Sequence, residues 1–136
     1  QNEIAQFGEL QIIGLNFMVA DENKSSPHAG PGKGTVQSTL AKLPINKDAP
    51  AVLLHHGPDG IKYANEADID LYLAGHTHAG QLWPITHFAK MLFEVNKGLH
   101  DFSGTKVYVS QGTGTFGPPM RVGTDSELAI LNLIPE

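Results

Sequence analysis

Three features are missing or scarce in this sequence: cysteine, positive charge and long apolar runs. None of the 136 residues is a cysteine, which excludes disulfide bonds, thiolate zinc sites and cysteine nucleophiles. Arg121 is the single arginine and the formal net charge is −5, so the chain has no basic footprint for nucleic acid. No segment approaches the roughly 18 consecutive apolar residues that a membrane-spanning helix needs.

Length and composition indicate one small globular domain. Hydrophobic residues make up 40% and charged residues 17% of the 136 residues, a balance typical of folded rather than disordered proteins. A chain of this size buries about two-thirds of the surface that it exposes when unfolded, which is enough for a hydrophobic core.

Short apolar strands alternate with helices and are then followed by further strands. This alternation predicts an α/β protein with a mixed sheet and few helices. Thr35 is a candidate N-cap of the first helix. The predicted strands are 10–15, 51–54, 70–74, 106–110 and 127–133, the predicted helices are 35–43 and 59–66 with a helical turn near 88–93, and the predicted loops are 20–34 and 112–119.

His76 and His78 form a His-x-His pair directly after the apolar strand 70–74. Imidazoles two residues apart in an extended segment point to the same side of the chain, as the ligands of a shared or dinuclear metal site must. Gly75, which precedes the pair, lets the backbone approach a ligand closely. The pattern predicts a metal site at the end of this strand, where open α/β sheets bind their ligands.

A second histidine pair, His55 and His56, ends the preceding strand. Adjacent residues of a strand point to opposite faces, so only one of the two can join the same site, and strand parity does not choose between them. The turn that begins at Gly57 favours His56, and His55 is expected to be hydrogen-bonded within the sheet. Three nitrogen ligands without sulfur suit zinc, manganese, iron or nickel.

Acidic residues that could complete a metal site are scarce near these histidines. Asp59 is better placed to cap the following helix, and Asp68 and Asp70 precede the strand that ends at the His-x-His pair. The residues after His78 also lack the glutamate of a cupin and the Asp-His continuation of a metallo-β-lactamase. We therefore expect the carboxylate ligands to come from elsewhere.

Four segments together carry a recognisable family pattern. Residues 52–59 (VLLHHGPD) and 70–81 (DLYLAGHTHAGQ) read as a strand with His-x-Pro-Asp and a strand with Gly-His-Thr-His-[Gly/Ala]-Gly-Gln. Residues 106–114 (KVYVSQGTG) and 119–121 (PMR) read as a later strand and loop and a Pro-x-Arg. In order and spacing, the chain from about residue 10 to residue 133 resembles the calcineurin-like metallophosphoesterases, in particular a bacterial branch often associated with membranes.

The resemblance implies metal ligands. It places His56 and His76 on the second metal and His78 on the first, with two divalent ions (manganese, iron or zinc) that activate a water for attack on phosphorus. The family's earlier motifs, Asp-x-His, Gly-Asp-x-x-Asp and Gly-Asn-His, do not occur here. We therefore expect residues 1–136 to be the C-terminal portion of a four-layer α/β/β/α sandwich, with no catalytic acid or base of its own.

On this resemblance, we expect the full-length protein to hydrolyse phosphomonoesters or phosphodiesters and this chain to be inactive alone. A non-catalytic metal-binding or assembly module is the alternative. The expected substrate rim includes Gln81, His87 and Arg121, although a surface ion pair is an equal role for Arg121. The expected partners are the N-terminal half of the same protein and a second copy bound through an exposed apolar sheet face. The implied location is cytoplasmic or membrane-associated.

Overall fold

The computed structural model describes residues 2–24 and 34–134 and is built around one six-stranded sheet. The predicted loop 20–34 thus lies partly outside the described residues. Within the described ranges, no helix has both the length and the apolar character needed to cross a bilayer. The strands are β1 (Glu3–Phe7), β2 (Leu10–Gly14), β3 (Ala51–Leu54), β4 (Leu71–Ala74), β5 (Gly98–Phe102) and β6 (Thr105–Val109), and the helices are α1 (Val36–Leu40), α2 (Ile61–Glu66) and α3 (Ile85–Leu92), with a 3₁₀ turn at His78–Gly80.

The sheet has the order β1-β2-β3-β4-β6-β5, with four parallel strands in the centre and an antiparallel strand at each edge. This arrangement confirms the predicted mixed sheet with few helices. The register aligns Ile13, Leu53, Tyr72 and Val107 across the four parallel strands. All four side chains are fully buried and form the centre of the hydrophobic core.

Helices α1 and α2 contribute to the same core. Parallel crossovers are almost always right-handed, and β2, β3, β4 and β6 follow one another in one direction across the sheet, so consecutive crossovers fall on one face. Thr35 is the N-cap of α1, as predicted, and its hydroxyl accepts a hydrogen bond from Ser38 N–H. The helix ends at Leu40 rather than at residue 43.

The opposite face of the sheet, here called the outer face, is also apolar and has little cover. Val52, Leu54, Leu71 and Leu73 belong to it by strand alternation. Of the described residues beyond the strands, those that line the cavity over this face are Leu131 and Leu133. Leu54 is 41% exposed. The fold therefore has its main core on one side of the sheet and, on the other, an apolar face in which Val52 and Leu71 are buried and Leu54 is exposed.

The prediction of a strand at 127–133 is wrong, because this segment joins no ladder of the sheet. Glu127 accepts hydrogen bonds from the side chains of Tyr108 and Gln111. With these hydrogen bonds at its start, the segment crosses the outer face instead of pairing with the edge of a strand. Leu128 and Ile130 are consequently 85% and 84% exposed.

Two edge strands and the first three residues of a helix were not predicted. β1 and β5 each pair with their neighbour through a two-residue hairpin loop, Gly8–Glu9 and Ser103–Gly104. The Ser-Gly pair is a turn signal that could have revealed the second hairpin. Helix α3 begins at Ile85, three residues before the predicted helical turn.

His55 lies in the core under the carboxyl ends of the strands, as expected, and is 4% exposed. Its Nε2 accepts a hydrogen bond from Met18 N–H (3.3 Å), so the neutral ring carries its proton on Nδ1, 2.8 Å from the Tyr72 hydroxyl. That hydroxyl lies within donating distance of the carbonyls of Gly57 (2.8 Å) and Asp59 (2.7 Å). Burial lowers the pKa of His55. The network fixes the start of the turn that carries His56.

Tyr72→Phe should lower the free energy of unfolding by about 1–3 kcal/mol, because it leaves His55 Nδ1–H and a buried carbonyl without a partner. Urea denaturation followed by circular dichroism measures the loss. Tyr63→Phe is the matched control, since the Tyr63 hydroxyl donates to Asp21 near the surface. Equal losses for the two variants would contradict the role given to the buried network.

Candidate metal centre

The candidate residues lie where parallel strands end. His55 and His56 follow β3, and Gly75 and His76 follow β4. Because β3 and β4 are parallel, their carboxyl ends lie at the same edge of the sheet, the usual ligand-binding edge of α/β sheets. Phe17 follows β2 at the same edge, with its ring centroid 5.2 Å from that of His56 and 5.0 Å from that of His76.

His56 and His76 are in direct contact. His56 Nε2 lies 3.0 Å from His76 Nδ1, and the ring centroids are 4.8 Å apart. Metal–nitrogen bonds are about 2.0–2.1 Å, so two nitrogens about 3 Å apart match two ligands of one ion at an angle near 90°. The pair therefore fits as two of the ligands of a metal ion.

His78 lines the same cavity as His56 and His76, and its ring contacts Arg121. Its Nδ1 is 3.4 Å from the guanidinium of Arg121. Burial, followed by the charge of Arg121, lowers the pKa of His78. A lowered pKa favours the neutral imidazole, which is the form of histidine that binds metal ions.

The described residues do not contain a complete metal site. No group of three or more His, Asp or Glu side chains in residues 2–24 and 34–134 converges closely enough to hold an ion. The donor set is imidazole nitrogen alone, which suits zinc, manganese or iron as part of a mixed site. His56 and His76 thus fit as a partial coordination sphere that further ligands must complete.

The turn that carries the histidines has a strained backbone. Positive φ angles occur at His76 (68°), His78 (46°), Ala79 (52°) and Gln81 (54°). Such conformations cost about 1–2 kcal/mol each for residues with a Cβ. Thr77 helps to hold the turn, because its hydroxyl donates to the Asn96 carbonyl at 2.6 Å. Strain maintained by surrounding contacts is a feature of functional sites.

Gln81, predicted on the substrate rim, lies at the wall of the cavity and is 5% exposed. Its side-chain amide donates to the carbonyls of Phe116 (2.8 Å) and Pro118 (3.1 Å) and accepts a hydrogen bond from Phe116 N–H. The residue therefore joins the histidine turn to the loop 112–119.

Arg121, the other rim residue in this loop region, is held by backbone carbonyls. Its guanidinium donates to Gln111 (2.7 Å), Gly112 (3.1 Å) and Gly114. It makes none of the ion pairs found among the described residues. Arg121 thus stabilises the start of the loop 112–119, next to His78.

His87 lies on α3 and is exposed, with its Nδ1 3.4 Å from the hydroxyl of Thr86. It does not line the cavity beside the histidines. Sequence reasoning placed His87 near the site but missed Phe17. The position of Phe17 just after β2 was the available signal, since β2 is parallel to β3.

A cavity of about 650 Å³ opens beside the three histidines. Its far wall is formed by α3 and by the loop 112–119. We call this cavity the apolar groove; it is lined by Phe17, His56, His76, Thr77, His78, Gly80, Gln81, Leu82, Ile85, Phe88, Ala89, Leu92, Phe93, Phe116 and Pro118.

Sequence comparison identifies the family. An uncharacterized metallophosphoesterase of Helicobacter pylori is 44% identical over 138 residues, which cover 99% of this chain and 35% of that protein. One of Campylobacter jejuni is 40% identical over 135 residues, covering 97% of this chain and 33% of that protein. The chain belongs to the metallophosphoesterases. It spans about a third of the length of these curated relatives.

Another metallophosphoesterase relative is named as a membrane protein. A protein of Danio rerio named as a transmembrane protein with metallophosphoesterase domain is 45% identical over 84 residues, 60% of this chain and 19% of that protein. No protein-family profile and no solved structure matches the chain. Membership of the metallophosphoesterases implies the use of divalent metal ions.

Gly80→Ala should displace α3 from the histidine turn of this metallophosphoesterase chain. A Cβ at Gly80 would lie 2.6 Å from Thr86 Cα, whereas at Gly98, which has a similar positive φ, it would meet nothing within 4 Å. We expect Gly80→Ala to destabilise the chain by about 2 kcal/mol more than Gly98→Ala. Faster amide exchange across residues 85–92 in Gly80→Ala alone would support this, and equal exchange would refute it.

Proposed function

We propose that the full-length protein containing this chain is a metal-dependent phosphoesterase that hydrolyses a phosphomonoester or phosphodiester with water activated by two divalent ions. The observation that supports this most is the 3.0 Å contact of His56 Nε2 with His76 Nδ1 at the carboxyl edge of the sheet. Family membership provides the reaction class. The site residues themselves are assigned here as a proposal.

The roles proposed for the histidines rest on the family resemblance and on the cavity that they share. We propose that His56 and His76 hold one ion together and that His78, which lines the same cavity, holds the second. When bound, the two ions supply a nucleophilic water and neutralise charge on the phosphoryl oxygens. Burial and the Arg121 neighbour lower the pKa of His78, which favours its neutral form. The contact of Phe17 with His56 and His76 excludes solvent from one side of the pair.

The missing ligands are proposed to come from the N-terminal half of the same protein. Residues 1–136 then form the C-terminal portion of a four-layer α/β/β/α sandwich, with the outer face packed against a second sheet. Sheets that pack face to face bury both apolar inner faces. The exposure of Leu54, Leu128 and Ile130 is consistent with such a missing layer.

Gln81 and Arg121 are proposed to shape the substrate rim through the loop 112–119 that they hold. The His87 side chain does not line the apolar groove, and the rim role expected for it stays a prediction. A location at a membrane is proposed from relatives in Danio rerio and Bos taurus, both named as transmembrane proteins with a metallophosphoesterase domain.

A second candidate function is a non-catalytic metal-binding or assembly module. The observation that favours it is the lack of a group of three metal-binding side chains in the described part of the chain. Metal bound in stoichiometric amounts by the full-length protein, without hydrolysis of any aryl phosphate ester, would support this function over the enzyme.

His56→Ala in the full-length protein should remove about one bound metal ion per chain and reduce hydrolysis of an aryl phosphate ester by about 100-fold or more. The physical reason is the loss of one of two adjacent nitrogen ligands. Metal content is measured by elemental analysis and activity by product absorbance. His100→Ala is the matched control, because His100 is exposed and bonds only the Lys97 carbonyl.

An unchanged metal content in His56→Ala would contradict the ligand assignment. The isolated chain should show negligible hydrolysis in the same assay, because it lacks the carboxylates that complete the site. Turnover of the isolated chain at the rate of the full-length protein would refute the division of the site between two halves.

The isolated chain should also self-associate, because the outer face exposes apolar side chains. Light scattering should give a mass above the monomer at micromolar concentration. Leu54→Lys should shift the mass toward the monomer, whereas Met91→Lys, on the exposed side of α3, should not. A monomer for the unmodified chain would contradict the expectation.

A further inference from the structure

The apolar groove extends from the histidines along one side of α3. Ile85, Phe88, Ala89 and Leu92 follow one another at helical spacing and line it together. Phe88 is 58% and Leu92 78% exposed. A stripe of large apolar side chains left in solvent beside a polar centre marks a binding surface, and the volume of about 650 Å³ lies in the range of ligand pockets.

The polar groups of the groove are already used. The Thr77 hydroxyl donates to the Asn96 carbonyl and accepts from Ala79 N–H, and the Gln81 amide is occupied by the loop 112–119. None of the lining residues is Lys, Arg, Asp or Glu. Apart from the histidines, the polar side chains of the groove are Thr77 and Gln81, and both are thus already hydrogen-bonded within the protein.

This composition discriminates between the organic groups that a phosphoester substrate can carry. A nucleoside or a sugar has hydroxyl and amide groups that would lose their water in the groove without gaining partners, at a considerable cost in affinity. An alkyl or acyl chain has no such groups and gains up to about fourfold in affinity for each methylene that it buries. The groove therefore suits a long apolar group.

We propose that the apolar groove binds the hydrocarbon chain of the substrate, so that the phosphoester presented to the histidines is that of an amphiphile such as a lipid phosphate. This inference rests on the proposed function, since it assigns the substrate class of the same site. The groove is continuous with the candidate metal centre, and this continuity favours a substrate over a permanently bound protein segment. His56, His76 and the α3 stripe line one cavity, and a protein segment seated there would block access to the histidines.

The first experiment measures hydrolysis by the full-length protein. Its substrates are p-nitrophenyl alkyl phosphodiesters with methyl, butyl and octyl groups, and its readout is kcat/KM. We expect kcat/KM to rise by about tenfold or more from methyl to octyl. Phe88→Asn should reduce that ratio by about tenfold, whereas Met91→Asn, on the same helix but outside the groove, should leave it unchanged.

The outcomes separate the two proposals. If all three esters are hydrolysed equally fast, or if Phe88→Asn and Met91→Asn behave alike, the substrate class is wrong and the phosphoesterase stands. If neither these diesters nor the monoester p-nitrophenyl phosphate is hydrolysed with manganese, iron or zinc, the proposed function fails and the inference fails with it.

A binding measurement on this chain provides a second readout. Trp83 is the single tryptophan; it is 65% exposed and lies between Leu82 and Ile85 of the groove. Dodecyl phosphate below its micelle concentration should shift the Trp83 emission to the blue, and butyl phosphate should not. Phe88→Asn should weaken the dodecyl phosphate response by about tenfold. Equal responses to the two phosphates would overturn the inference.

Discussion

The parallel alignment of β2, β3, β4 and β6 is the constraint on which the rest of this structure depends. It brings the carboxyl ends of four strands to one edge of the sheet, where His56, His76 and Phe17 meet. The same alignment, combined with right-handed crossovers in one direction, places α1 and α2 on one face. One topology therefore explains why these side chains meet at one edge of the sheet. It also explains why α1 and α2 leave the outer face uncovered.

The turn from Gly75 to Gln81 converts that edge into a candidate metal centre. Its conformation is unfavourable by itself, since several residues with a Cβ have positive φ. Three neighbours keep it in place: Asn96 through Thr77, α3 through the close approach at Gly80, and the loop 112–119 through Gln81. The motif Gly-His-Thr-His-Ala-Gly-Gln thus contains more residues that hold the turn in place than candidate metal ligands. The turn can present histidines because its other side chains hold it rigid.

Among the described residues, the candidate metal site lacks some of its ligands and the outer face lacks part of its cover. The candidate histidine ligands are not joined by a carboxylate of the described residues, and the apolar outer face of the sheet is only partly covered. The proposed N-terminal half would address both, by packing a second sheet on the outer face and by supplying further ligands. The apolar groove differs from that face, since it opens beside the histidines and is lined by α3. It is proposed as a surface for a ligand rather than for a sheet.

The sequence by itself determined the local features: apolar strands that end in histidines, the Thr35 cap, the mixed α/β class and the scarcity of nearby carboxylates. Hydrophobic patterns and helix caps involve residues that are near each other in the chain, so they can be recognised in a single sequence. Only the tertiary structure decided which partners those residues find. It showed that 127–133 crosses a face instead of forming a strand, that Arg121 binds carbonyls, and that Phe17 packs on the histidine pair. Such contacts join residues far apart in sequence, and their energies depend on distances that only folding creates.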